Sequence, residues 1–272
     1  MSRVVVALGG HALIHPDRPG SADARRRDLE LAADALVALI DQGHEVVLTY
    51  GDGPDAILAP SGPDAVRGSV AAPSLDGLVD GSEGAIGYLI VRALADRLAR
   101  DGRRPAIALL PIRSVDSRRI AALVAAGVIV VASGGGDIQQ QQSAAERLDG
   151  VEAAVDQDLA AVELAVGIDA DALLLLTDVP AAYLGWGRPT AIPLRRITID
   201  GARAGIANGT FAARTMGAKL AAAAVFVERT GRYAAIGALQ EAVAVLDGRA
   251  GTTIMEDRVV DHPARPTRAA VA

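Results

Sequence analysis

Short apolar runs recur along this chain, separated by longer stretches of mixed polarity, and the runs are continuous rather than alternating. Val4–Leu8, Glu45–Tyr50, Ala106–Pro111, Val128–Gly136 and Ala172–Val179 are each apolar for most of their length. A strand with one wet face would alternate, so continuous runs predict strands covered on both faces. Between them the pattern predicts helices over about Ala22–Gln42, Ser82–Arg100, Ser117–Ala126, Asp158–Val166 and Met216–Arg229. Two further runs, Tyr233–Ala238 and Gly251–Met255, follow as strands. Alternation of strand and helix predicts an α/β fold with a mostly parallel sheet made by βαβ crossovers. The Pro-, Gly- and Ser-rich stretch Ala59–Leu78 reads as a loop, as does the polar tract Gln139–Gln142. The Arg-, Pro- and Ala-rich tail Asp257–Ala272 reads as loosely ordered.

Composition narrows the chemistry. The chain has 272 residues, enough for a substantial core in one large domain or two small ones. It is 51% hydrophobic but only 3% aromatic, so the core must be made mostly of Ala, Val, Leu and Ile. A net charge of −6 and the shortage of aromatic rings argue against a nucleic-acid partner, which would need a basic face and stacking platforms. No stretch approaches the ~20 apolar residues of a membrane helix, and the start MSRVVVALGGHAL does not read as a signal peptide. The chain has no cysteine, which removes disulfides, thiolate metal sites and a cysteine nucleophile. A cytoplasmic protein with no membrane partner and no resident metal site is the expectation.

Three predicted strands end in glycine clusters: Gly9-Gly10, Gly51-Asp52-Gly53 and Gly134-Gly135-Gly136. Ligands of parallel α/β sheets bind at the carboxyl ends of the strands. Glycine there lets backbone N–H groups approach an anion with no Cβ in the way, so repeated clusters point to phosphate cradling. The Gly-x-x-x-x-Gly-Lys-Ser/Thr loop is absent, and so is Gly-x-Gly-x-x-Gly opening a helix, which disfavours a P-loop enzyme and a dinucleotide dehydrogenase. Lys219, in TMGAK, is the only lysine among 27 basic residues. An ammonium is a compact point charge, unlike the planar arginine fork. One lysine retained at the start of a helix, where the dipole disfavours a cation, therefore reads as a functional group rather than as surface charge.

The ordered set VVVALGGHAL, GHEVVLTYGDGP, SEGAIGY, VIVVASGGGDI, VDQDLAAVELA, LLLTDVPAAYLGWGRP, TMGAK and AAIGALQEAVAVLDGRAGT resembles carbamate kinase, within the amino-acid kinase family. The resemblance implies a three-layer α/β/α sandwich with a mostly parallel central sheet, and a homodimer. Residues 1–150 would form the acceptor-binding half, 151–256 the half that binds ATP with Mg²⁺, and 257–272 a tail. It implies that Gly9, Gly10, Gly51 and Gly53 line the acceptor and the transferring phosphoryl group. Asp158 would organise the catalytic lysines. Thr177, Asp178, Tyr183, Trp186 and Gly187 would surround the nucleotide, and Met216, Gly217 and Lys219 would match an element whose lysine lies against the ATP phosphates. Phosphoryl transfer depends on positioning and on stabilising charge at the phosphoryl oxygens, which suits these residue types.

Several positions depart from that pattern. His11 stands where the family has asparagine, and its place after a glycine pair favours a ligand contact. Tyr50, Asp52 and Asp55 replace histidine, asparagine and glutamine. Gln157 replaces a lysine expected beside the transferring phosphate. Asp137 enters the third glycine cluster, and no room exists between Arg100 and Ser117 for the family's lid subdomain. Arg214 is read either as a replacement cation or as a solvated surface arginine. His15, His44 and His262 are assigned no role. The leading expectation is an ATP-dependent small-molecule kinase acting on carbamate or a related carboxylate-type acceptor. The alternatives are a catalytically weak nucleotide-binding homologue with a regulatory or assembly role and, further off, a non-kinase storage or scaffold role.

Overall fold

The uninterrupted apolar runs become the inner strands of one sheet. The computed structural model describes residues 1–9, 22–51, 75–111, 116–133, 157–213 and 215–256. Its strands are β1 Arg3–Leu8, β2 Glu45–Tyr50, β3 Ile107–Pro111, β4 Ile129–Ser133, β5 Ala172–Thr177, β6 Tyr183–Leu184, β7 Ile192–Pro193, β8 Arg196–Thr198, β9 Tyr233–Ala238 and β10 Thr252–Met255. Eight of them form a sheet in the order β3-β4-β2-β1-β5-β9-β10-β8, and β6 and β7 form a separate antiparallel pair. Every neighbour in the large sheet is parallel except β9 and β10. The helices are α1 Ala22–Asp41, α2 Leu75–Arg100, α3 Ser117–Ala125, α4 Gln157–Gly167, α5 Ile199–Ala207, α6 Met216–Thr230 and α7 Ala242–Leu246, with a 3-10 turn at Leu239–Glu241.

The side-chain period of two, hidden in the sequence by continuous apolarity, reappears in three dimensions. Val4, Val6 and Leu8 of β1 join Leu36 and Leu39 of α1, Ile90, Leu94 and Leu98 of α2, and Val245 of α7 in one buried cluster. Val5 and Ala7 face the other way, onto Ile120 and Val124 of α3, Ala161 and Val162 of α4, Ala202 of α5 and Leu220 and Phe226 of α6. Helices on both faces make three layers, and this double covering is why β1 is buried along its whole length. A branched or aromatic side chain buried in this way contributes about 1.5–3 kcal/mol. Glycine ends α6: Gly231 has φ 61, the left-handed conformation that stops a helix at little cost.

Observed and expected elements differ in specific places. The helix expected from Ser82 begins at Leu75, inside the stretch read as a loop. Once Ile90, Leu94 and Leu98 anchor it in the core, extending a formed helix backwards costs little, even through Gly81 and Gly77. The β6–β7 hairpin, β8, α5 and α7 were not expected. β8 is a three-residue edge with exposed ends, α5 carries two glycines in nine residues, and α7 has only five residues, so none offers a period long enough to read.

The strand order fixes where a ligand would sit. The chain leaves β1 toward β2 on one side and leaves β5 toward β8 and β9 on the other. Neighbouring strands whose connections diverge open a crevice at their carboxyl ends, which is the binding position in open α/β sheets. In this sheet the crevice lies at Leu8–Gly9 and Leu176–Thr177.

Candidate active site

Gly9 follows β1, and its N–H donates to the Leu176 carbonyl of β5 at 3.1 Å. Into the space above it comes Lys219: a Cβ on Gly9 would lie 3.1 Å from the lysine Nζ. Lys219 projects from the first turn of α6 and donates to both carboxylate oxygens of Asp158, at 3.0 and 3.2 Å. Their side chains are only 13% and 8% exposed. Asp158 belongs to the first turn of α4, where the positive end of the helix favours a carboxylate. Lys219 meets the unfavourable end of its own helix, so the aspartate offsets what the α6 dipole costs. The approach of α6 to the preceding loop requires Gly217, because a Cβ there would fall 2.8 Å from the Ala212 carbonyl oxygen.

The residue before Asp158 reaches the other flank of β1. Gln157 Nε2 donates to the Leu8 carbonyl, and a Cβ on Gly51 would lie 2.5 Å from Gln157 Oε1 and 2.6 Å from its Cδ. Gly9 and Gly51 are thus glycines that admit protein side chains, Lys219 and Gln157, to the strand ends. Sequence reading took Gln157 only as the place of a missing lysine and assigned it no contact. Its signal was its position in Asp156-Gln157-Asp158, where it opens the same helix turn as Asp158.

A second group of candidates lies beyond β5. Thr177 is buried at the strand end and its hydroxyl donates to Asp178 Oδ1 at 2.9 Å, while Asp178 itself is exposed. The chain then enters the β6–β7 hairpin, where the Tyr183 and Trp186 ring centroids stand 5.2 Å apart at an interplanar angle of 55°. Gly187 has φ 81, which this turn requires and which a residue with a side chain would adopt only under strain. Leu184, Trp186 and Ile192 expose apolar surface, Trp186 to 65%. The base of the hairpin is held by Thr252, which was not singled out in the sequence: its hydroxyl accepts from the Ala182 N–H at 2.9 Å and donates to the Leu194 carbonyl at 2.6 Å. Met216 packs against the cluster beneath α6 and Gly217 is buried.

Among the predicted site residues, Gly9, Asp158 and Lys219 therefore meet at the end of β1, Gly51 follows β2 against Gln157, and Tyr183, Trp186 and Gly187 share the hairpin. Gly10, His11, Asp52, Gly53, Gly134, Gly135, Gly136 and Arg214 lie outside the described residues. Among the described residues no group of three or more His, Cys, Asp or Glu could hold a metal ion, and no helix is long and apolar enough to cross a membrane.

A doubly covered α/β sheet with a buried lysine–aspartate pair at its switch point places that pair where ligands of open α/β sheets bind. Residues 2–237 match the amino acid kinase family, and the chain belongs to that family. It is 32% identical to a carbamate kinase of Rhizobium meliloti, the match covering 93% of each chain. It is also 32% identical to a carbamate kinase of Haemophilus influenzae, over 93% of this chain and 96% of the other. The structure of carbamate kinase from Giardia lamblia bound to AMP-PNP superimposes with a TM-score of 0.81 at 28% identity, covering 94% of this chain and 99% of that one. The match to the R. meliloti protein runs over 310 positions, although this chain has 272 residues. The relative therefore carries segments that this chain lacks. In this fold β3 ends at Pro111 and α3 starts at Ser117, a connection too short for a subdomain.

Proposed function

We propose that this protein is a kinase that transfers the γ-phosphoryl group of ATP to carbamate or a related small carboxylate-type acceptor. The observation that carries the reading is the Lys219–Asp158 pair, buried beside Gly9 at the ends of β1 and β5. An ammonium has three donors, so Lys219 can keep its contact with Asp158 and still offer a proton to a phosphoryl oxygen. In the transfer an acceptor carboxylate oxygen attacks the γ-phosphorus, the new P–O bond forms, the β–γ bridging P–O bond breaks, and ADP leaves. The charge that gathers on the phosphoryl oxygens and on the leaving ADP is what a fixed ammonium stabilises.

The N-terminal half of the sheet would receive the acceptor and the C-terminal half the nucleotide, with Thr177, Asp178 and the Tyr183–Trp186 pair about its base and sugar. Mg²⁺ would arrive on the ATP phosphates, as suits an ion that keeps its waters and takes one or two carboxylates. Gly10, His11, Asp52, Gly53, Gly134, Gly135, Gly136 and Arg214 remain part of this proposal as acceptor or phosphate contacts. The same reading carries a cytoplasmic homodimer, tested by the mass of the protein in solution.

The test is ADP release from MgATP with carbamate, acetate, aspartate and N-acetylglutamate as acceptors. Turnover with one of them that disappears in Lys219→Ala supports the reading. The neutral Gln157 at the β1 end favours a second reading, a nucleotide-binding homologue without turnover. That reading holds if MgATP raises the melting temperature, as a ligand of the native state must, while every acceptor leaves ADP release at background.

A further inference from the structure

The β6–β7 hairpin carries the Tyr183–Trp186 pair but has little of its own to hold it in place. Its ladder sets Tyr183 opposite Pro193 and Leu184 opposite Ile192, and Pro193 has no N–H to donate. Leu184, Trp186 and Ile192 are exposed, so burial of these side chains does not fix it either. An isolated two-stranded ribbon is marginal in water, so the bonds at its base must set where it stands.

One side chain joins the two ends of that base. The Leu194 N–H donates to the Ala182 carbonyl at 2.8 Å and closes the ribbon. The Ala182 N–H donates to Thr252 Oγ1, and the Thr252 hydroxyl donates onward to the Leu194 carbonyl, so the three residues form a closed ring. The exit of the hairpin is tied to β10 a second time, the Thr253 N–H donating to the Arg195 carbonyl at 3.0 Å. Its entry, at Ala182, meets β10 through the Thr252 hydroxyl. Thr252 is fully buried and shares its strand face with Ile254, a place where burial alone would favour valine or isoleucine. The residue before it sets its position. Gly251 has φ 75, and a Cβ there would lie 2.5 Å from the Ile236 carbonyl oxygen. The inner strand β9 thus locates β10, and β10 locates the hairpin.

We propose that Thr252 is a positioning residue for the nucleotide: without touching the ligand, its hydroxyl holds the Tyr183–Trp186 pair where an adenine nucleotide meets it. The inference rests on the kinase reading and deepens it. Without the hydroxyl the entry strand leaves its place part of the time, and apparent affinity falls with the fraction of molecules in which the hairpin stands correctly. Lys219 and Asp158 contact each other and take no part in the ring, so the chemical step is unaffected once ATP is bound.

The experiment uses the full-length protein with Thr252→Val, which keeps the shape and removes the hydroxyl, and Thr252→Ser, which keeps the hydroxyl. Calorimetry gives Kd for MgATP, ADP release gives KM and kcat, and amide hydrogen exchange follows the N–H groups of Ala182 and Leu194. Thr252→Val is expected to raise Kd and KM for MgATP about tenfold and to leave kcat within about twofold. It should also speed exchange at both amides, while Thr252→Ser stays within about threefold of the wild type on every measure. In a Trp186→Ala background the effect of Thr252→Val on Kd should shrink to less than about twofold, because residues that act through one another are not additive. A fall in kcat that matches the rise in KM, an equal loss in Thr252→Ser, or an undiminished loss in the Trp186→Ala background overturns the proposal. MgATP binding that is the same in wild type and Thr252→Val overturns the inference alone. A wild type that binds no MgATP overturns the kinase reading, and the inference with it.

Discussion

Replacing Lys219 with methionine separates what the lysine does for the fold from what it does for chemistry. Methionine keeps the length and apolar stem of lysine but removes the charge that faces Asp158. At 3.0 Å and an effective dielectric of about 20, the gross attraction between the two charges is about 5 kcal/mol. Desolvating two side chains that are 13% and 8% exposed takes back much of it, so the pair itself contributes far less than the gross figure. Removing one partner is another matter, because the remaining charge stays buried without its counter-ion, a loss of about 3–5 kcal/mol. The positive end of α4 softens the blow to Asp158, which favours the lower end, about 3 kcal/mol. For a chain of this size that is a fall in Tm of roughly 6–12 °C. Asp158→Asn in the Lys219→Met background removes the uncompensated charge, so the double variant should recover about 1–2 kcal/mol relative to additivity. Thermal unfolding followed by circular dichroism reads the stability, and ADP release reads the chemistry. Additive effects in the double variant, or a Lys219→Met protein that melts with the wild type, would refute the reasoning from the buried pair.

Two further outcomes follow from other parts of the fold. Burial holds the Tyr233 phenol above its usual value of 10.0, and its hydroxyl donates to the Val245 carbonyl at 2.6 Å. A raised folded-state value means that the contribution is fully present below pH 10.0 and is lost as pH climbs through the folded-state value. Tyr233→Phe should therefore cost about 1 kcal/mol at neutral pH and flatten the alkaline limb of a stability-versus-pH curve, and an unchanged alkaline limb refutes it. Trp186→Ala, at a side chain already 65% exposed, should leave Tm unchanged and raise KM for ATP about three- to tenfold if an aromatic contact with the base is lost. An unchanged KM would move the nucleotide away from the hairpin.

The architecture was legible because β1, β2, β4 and β5 are apolar on both faces, which in a chain of this length leaves few options besides a helix-covered parallel sheet. Lys219 and Asp158 were legible as isolated chemistry, one by its singularity and the other by resemblance. Their mutual contact was not, since 61 positions separate them and only the sheet brings α4 and α6 side by side. Gly9 and Gly51 illustrate a limit of another kind. Sequence can say that a position excludes a Cβ, but not what occupies the space. Here the occupants are an ammonium and an amide from distant helices. Thr252 and the hairpin fell inside two of the motifs, but the anchoring between them was not legible, because a hydroxyl joining two loop ends leaves no local pattern.

That hairpin has a practical consequence for anyone who follows this protein with light. The chain has one tryptophan, and it stands mostly in water on a loop outside both apolar clusters. Its emission should already be red-shifted in the native protein and change little on denaturation, so intrinsic fluorescence would pass over the collapse of the core almost in silence. The same placement makes the indole a reporter with a single source: a blue shift on adding a ligand could come only from something covering the hairpin.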